Sequence, residues 1–208
     1  MNLNYVKEIA KWMQSDRPVA EVREELLNYH DRDIAFAIES LDGAARKKAF
    51  QILDEERLAD VFSYFKDPLE YMDEIGMERF AAIVSDMDSD DAVDVLEELD
   101  DATRKRLAPL LQADARKAIR LIRSYDEDEI GSQMTTNFVR ISQGISVKQA
   151  TRSLILQADK NDNINTIYVS DGERHYVGAI DLKDLITARE YDDLEDIIVS
   201  SYPYVFAE

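Results

Sequence analysis

Two aspartates four residues apart, Asp90 and Asp94, stand within the stretch D-S-D-D-A-V-D-V-L-E-E-L at residues 88–99. On a helix that spacing puts both carboxylates on one face, with side-chain roots roughly 5–6 Å apart. Their repulsion is on the order of 1 kcal/mol in water and grows where solvent is excluded. A divalent cation reverses the sign, and hard carboxylate oxygens suit magnesium, manganese and calcium alike. Acids in a first helical turn also have an ordinary role, in which they stay solvated and favour the positive end of the helix dipole. Spacing alone leaves both roles open.

Other chemistry is poorly supplied. Without cysteine there is no disulfide, thiolate metal site or thiol nucleophile, which fits a reducing compartment. His30 and His175 are far apart in sequence, and no phosphate-cradling glycine loop, H-E-x-x-H or G-x-S-x-G occurs. His30 opens a repeat block and His175 begins a predicted strand, so both read as structural or solvent-facing. The sequence does not read as an enzyme.

The 44 acidic residues against 25 basic ones disfavour nucleic acid and anionic membrane surfaces and favour cations. With 208 residues, 45% of them hydrophobic, the chain can bury one large core or two modest ones. The N-terminus lacks a signal-type apolar core, and no 18 uncharged apolar residues run together, so the expectation is a soluble chain.

The elements that must hold Asp90 and Asp94 follow a twelve-residue rhythm. After a helix at 3–14 and a Ser15-Asp16-Arg17-Pro18 break that can start another, blocks run 30–41, 42–53, 54–65, a short 66–75, 76–87, 88–99, 100–111 and 112–123. Position 12 closes them with Leu41, Leu53, Phe65, Ile75, Met87, Leu99 and Leu111, and positions 8 and 9 give pairs such as Val61-Phe62, Ile83-Val84 and Val95-Leu96. That is one apolar helix face per block. Asp42, Asp54, Asp88 and Asp100 open blocks as N-caps. Helices of about ten residues are marginal alone, so the blocks must stack and share a core as an α-solenoid or superhelix. Gly76, after the short unit with its Asp67-Pro68, marks a change of direction.

After Arg123 the grammar changes. Phe138–Ile141 is a predicted strand, Val147–Ala158 a helix, Ile164–Val169 a β-rich run, 170–173 a turn and Tyr176–Ile180 another strand, giving β-α-β-β-α. The predicted organisation is a helical domain over 1–123, a linker over 124–137 and an α/β unit over 138–208.

The segment T-I-Y-V-S-D-G-E-R-H-Y-V-G-A-I-D-L-K-D-L-I at 166–186 resembles the second half of a CBS motif, with a strand pair ending at Gly178 and running into a helix. Acidic helical repeats precede it, and the linker Tyr125–Thr136 carries Glu-Asp-Glu, a glycine and Met-Thr. In that order the chain resembles the cytosolic N-terminal region and first CBS motif of MgtE-type magnesium transporters.

The resemblance implies a multi-domain α plus α/β fold: a right-handed superhelix of short helices, then a CBS unit in which Tyr202–Phe206 starts a second motif. It further implies a fragment of a membrane protein on the cytoplasmic side, a homodimer through the CBS region, and a transmembrane pore domain elsewhere. In such proteins magnesium bridges the acidic helical domain to the CBS domain and favours a closed state. Matching motifs places metal ligands at Asp90 and Asp94, with Asp60 a further candidate, and on the CBS side at Asp181, Asp184 and the backbone oxygen near Gly131. Asp184 has a competing role, because the matching acid in many CBS modules contacts the ribose of an adenine nucleotide. Asp181 replaces the small hydroxyl residue common there, which weakens nucleotide binding and adds a metal oxygen. The alternative is a helical-repeat scaffold whose CBS half serves dimerisation or nucleotide sensing.

Overall fold

In the computed structural model, which describes residues 3–126, 128–158, 161 and 163–207, the chain forms two compact units, Met1–Ser124 and Tyr125–Glu208. Glu127, part of the expected linker signature, lies outside the described residues.

Polar side chains cap several helices of the first unit. The Asp42 carboxylate accepts from the Ala45 amide at 2.9 Å, Asp54 from Arg57 at 3.1 Å, and Asp100 from Ala102 and Thr103 at 2.9 and 3.0 Å. His30 does the same through Nδ1 for the Arg32 amide at 3.2 Å. Each bond satisfies an amide that the helix itself leaves without a partner. The helices are α1 Leu3–Gln14, α2 Val19–Leu26, α3 Asp31–Glu39, α4 Gly43–Ile52, α5 Glu55–Phe62, α6 Met72–Ile75, α7 Met77–Asp86, α8 Ser89–Glu98, α9 Asp101–Leu107 and α10 Ala113–Ile122. Asp88 holds the N-cap position of α8. The short block is a 3₁₀ turn, Pro68–Tyr71, running into α6, and Gly76 at φ +90° turns the chain into α7 in a conformation that glycine adopts without a Cβ penalty.

Contacts skip a helix. α1 packs on α3, α3 on α5 and α5 on α7; α2 packs on α4 and α4 on α6; α8 packs on α10. The shared core holds Val61, Phe62, Ile83, Val84, Val95, Leu96 and the block-closing Leu41, Leu53, Phe65, Leu99 and Leu111, all buried. Its centre is aromatic: Phe62 meets Phe65 at 4.8 Å and Phe80 at 5.9 Å, and Phe50 meets Tyr71 at 5.7 Å. Those separations suit edge-on or tilted ring contacts.

Arginines bolt the rows together. Arg79 donates to the carbonyls of Phe50 and Leu53 at 2.6 and 2.7 Å, closing the end of α4, and to Glu55 at 2.8 Å. Arg104 closes α8 through Leu96 and Leu99 at 2.8 and 2.7 Å. Arg46 reaches Leu41 at 3.2 Å and pairs with Glu74, and Arg57 reaches Tyr29 at 2.9 Å and pairs with Asp31. Each guanidinium thus supplies donors to carbonyls at a helix C-terminus, where cations are favoured.

In the second unit the order is β1 Val139–Ser142, α11 Val147–Ala158, β2 Thr166–Ser170, β3 Tyr176–Asp181 and α12 Leu182–Thr187. β2 pairs parallel with β1 and antiparallel with β3, giving the sheet order β1-β2-β3. Val139, Ile141, Ile167, Val169 and Ile180 from the sheet are buried with Val147, Ala150 and Leu154 from α11 and Leu185 from α12. Two sequence expectations change. Gly178 lies inside β3, opposite Val169, rather than ending the strand pair. Tyr202–Phe206 forms no strand, since a strand needs a ladder partner and this segment has none among the described residues.

Candidate functional site

The acids of α8 occupy three environments. Asp90 is half buried, and its Oδ1 is shielded from solvent with no hydrogen-bond partner among the described residues. A buried carboxylate oxygen without a donor is costly, so it marks a place where a cation or donor is called for. Asp91 accepts from the Ser63 hydroxyl at 2.5 Å. Asp94, one turn on from Asp90, is exposed, yet its pKa is raised: partial desolvation is the largest cause, followed by the charges of Asp91, Glu97, Asp90 and Glu98. The ion that would relieve Asp90 would also offset that repulsion.

Ser63 caps the C-terminus of α5, so its bond to Asp91 brings that end of α5 to the first turn of α8. Asp60 is exposed on the last turn of α5. Among the described residues, however, no group of three or more histidines and acids is gathered closely enough to enclose a metal ion. Asp60, Asp90 and Asp94 are therefore not a ready-made cage. A carboxylate pair with retained waters is the arrangement magnesium tolerates best, because it dehydrates reluctantly.

In the second unit the predicted residues separate. Asp181 holds the N-cap position of α12 and is exposed, while Asp184, in the first turn, is half buried. Asp181 lines a pocket of about 510 Å³ together with Asn165, Leu182, Lys183, Ile186 and Thr187; Asp184 does not line it. The Leu182 amide donates to the Asn165 carbonyl at 2.8 Å, fixing one wall. Gly131 is buried in a 3₁₀ turn, where its amide donates to the Ala207 carbonyl at 2.8 Å and its carbonyl accepts from Met134 at 3.5 Å. The Tyr125 ring leaves no room for a side chain at Gly131.

A sequence profile of the MgtE intracellular N domain matches residues 29–128. Residues 29–128 thus resemble that domain. The magnesium transporter MgtE of Thermus thermophilus is 29% identical over 194 residues, covering 91% of this chain and 42% of that protein. The chain thus spans less than half the length of this curated relative. The crystal structure of the soluble part of a magnesium transporter is similar at a TM-score of 0.85 and 29% identity, over 95% of this chain and 78% of the other. The cytosolic domain of the Mg2+ channel MgtE in complex with ATP is similar at 0.78 and 28%, over 92% and 79%. Among the described residues no helix is long and apolar enough to cross a membrane.

Within the matched region, Ser63 and the half-buried state of Asp90 escaped sequence reasoning. Ser63 is a single serine 28 residues from its partner, and no local pattern announces the bond. Of the pocket residues, Asn165 lies just outside the CBS-like segment and Lys183 lies within it without a role of its own there.

Proposed function

We propose that this chain is the magnesium-sensing regulatory region of an MgtE-type magnesium channel or transporter, acting on the cytoplasmic side of the membrane. The observation that carries the reading is the buried, donorless oxygen of Asp90 one helical turn from the like-charged Asp94. The match of residues 29–128 to the MgtE N-domain model and the likeness to solved cytosolic regions support it.

Magnesium binds Asp90 and Asp94 through one or two carboxylate oxygens and keeps several waters. Asp60 and, on the CBS-type unit, Asp181, Asp184 and the Gly131 carbonyl are the further oxygens it recruits. Bridging the two units favours a compact, closed state; at low magnesium the acids repel and the open state gains population. The relevant assembly is a homodimer through the CBS-type unit joined to a transmembrane pore. The chain is a binding module, and no reaction is assigned to it.

Small-angle scattering and limited proteolysis across millimolar magnesium test the reading. Compaction and protection are expected, and both should be lost in the Asp90→Ala/Asp94→Ala double variant. An unchanged response in that variant would remove the pair from the bridge, and no response in the native chain would sink the sensor.

A second reading is favoured by the pocket at Asn165, Asp181 and Lys183 and by the relative solved with ATP: the CBS-type unit takes an adenine nucleotide. Lys183 supplies a cation for a phosphate, whereas Asp181 opposes one. Isothermal titration of ATP against the native chain and Lys183→Ala decides it; identical heats would exclude the pocket.

A further inference from the structure

The acidity of the chain is unevenly divided. Residues 104–123 contain seven basic side chains and one acid, Asp114, inside a chain of net charge −19. Arg104 is occupied in closing α8, but most of the others face water. On α10, Ile119 and Ile122 are buried, while Arg116, Lys117, Arg120 and the capping Arg123 are exposed. Arg116 and Arg120 stand one turn apart, with Lys117 and Leu121 one turn apart beside them. Leu121 is 45% exposed in the midst of these cations.

The α9 side continues the pattern. Lys105 and Arg106 are exposed there, and Arg116 donates to the Pro109 carbonyl at 3.4 Å, which holds the turn carrying Leu110 against the start of α10. Leu110 is 43% exposed. Helix dipoles account for part of this charge, since Lys105 and Arg106 stand in the last turn of α9 and Arg120 in that of α10, but not for Arg116 and Lys117. Lys117 and Asp114 pair at 3.0 Å with side chains 77% and 96% exposed, and Arg123 lies 3.9 Å from Glu97; pairs so exposed hold little charge in place. Lys105, Arg106 and Arg120 have no ion-pair partner among the described residues. Arg116 and Lys117 sit in the first half of α10, where the dipole opposes a cation rather than favouring one.

We propose that the exposed face of α10, with the α9 turn, docks on an anionic lipid surface. Lysines and arginines are each attracted to anionic headgroups within a Debye length of roughly 8–10 Å, and leucines among them supply apolar contacts at the headgroup boundary. The net charge of the whole chain opposes approach from further away, so attachment is short-ranged, weakened by salt and confined to this face. The proposal rests on the membrane-transporter reading only in putting a leaflet within reach.

The test is co-sedimentation of the full chain with phosphatidylglycerol/phosphatidylcholine vesicles and with phosphatidylcholine alone, in low and raised salt and without divalent cations. Binding to the anionic vesicles should exceed that to neutral ones by about fivefold or more. It should fall with salt and be lost in Lys117→Glu/Arg120→Glu, while Leu121→Ser weakens it; circular dichroism and melting confirm that the variants fold. Equal binding to both vesicle types, or binding retained after charge reversal, overturns the proposal. Self-association without lipid that disappears in the same variant, with no vesicle binding, assigns the face to a second copy and also overturns it. Because the α8 carboxylates are untouched and no magnesium is present, failure here leaves the sensing reading standing, and failure of the magnesium titration leaves this result interpretable.

Discussion

The Ser63 hydroxyl donates to the Asp91 carboxylate at 2.5 Å, tying the C-terminal cap of α5 to the first turn of α8. Of three closely spaced acids, the middle one is therefore held by protein while Asp90 keeps an oxygen without a donor.

Ser63→Ala removes that tether. A single exposed hydrogen bond to a charged group contributes about 1 kcal/mol, so a matching fall in stability is expected from urea unfolding. The released carboxylate should also alter the magnesium concentration needed for compaction, read by scattering. A variant with native stability would show that water replaces the hydroxyl without loss.

Arg79→Ala strips donors from two helix-end carbonyls and from Glu55 together. The expected cost is about 2–4 kcal/mol, because half-buried acceptors and a carboxylate lose their partner at once. Arg79→Lys should recover little of it, since one ammonium cannot reproduce the planar fork. Chemical denaturation of both variants measures the difference.

Stability should respond to pH in two opposed ways. The Asp94 carboxyl titrates above its usual range, so its ionised form penalises the folded state above the folded pKa, and the penalty is relieved as pH falls through that value. Asp94→Asn should therefore raise the melting temperature at neutral pH. Glu55 and Glu74 behave oppositely: hydrogen bonds from Arg79 and Arg46 hold their pKa values below the ordinary 4.5. Their contribution is present above 4.5 and is lost as pH falls through the lowered values. Melting curves from pH 7 down to about 3 should rise first and fall later, and the early rise should shrink in Asp94→Asn to the part left by Asp86, whose carboxyl pKa is also raised by burial.

Two glycines of the second unit should differ when replaced by alanine. At Gly178 the new Cβ would stand 2.7 Å from the Val199 carbonyl oxygen and 3.0 Å from the Ser200 Cα, both backbone. At Gly131 it would stand 2.3 Å from the Tyr125 ring, a side chain that can swing away. Gly178→Ala is expected to destabilise the unit by about 1–3 kcal/mol, whereas Gly131→Ala should mainly release Tyr125. Thermal melts and tyrosine fluorescence separate the two outcomes.

The helices were legible because their signals are local: a capping aspartate, an apolar pair and a closing leucine recur within twelve residues. The bolts between them were not. Arg79 finds its carbonyls 26 and 29 residues away, and in sequence it is one more charged residue on a helix surface. The same limit applied at the site. The spacing of Asp90 and Asp94 could be read directly, but the shielding of one Asp90 oxygen is set by neighbours that only the fold brings near. Tyr202–Phe206 has the composition of a strand, and composition does not provide the ladder partner that a strand requires.

Because most of these helices rest on the next but one, the sequence repeats every twelve residues while the packing repeats every two blocks. Excising one block would exchange the two rows for every helix after the cut and part a long-range fork such as that of Arg79 from its carbonyls, whereas Arg104, which reaches the block just before its own, would keep its partners. Excising two consecutive blocks would preserve phase and shorten the stack. Viable length variation in such an array should therefore come in pairs of blocks.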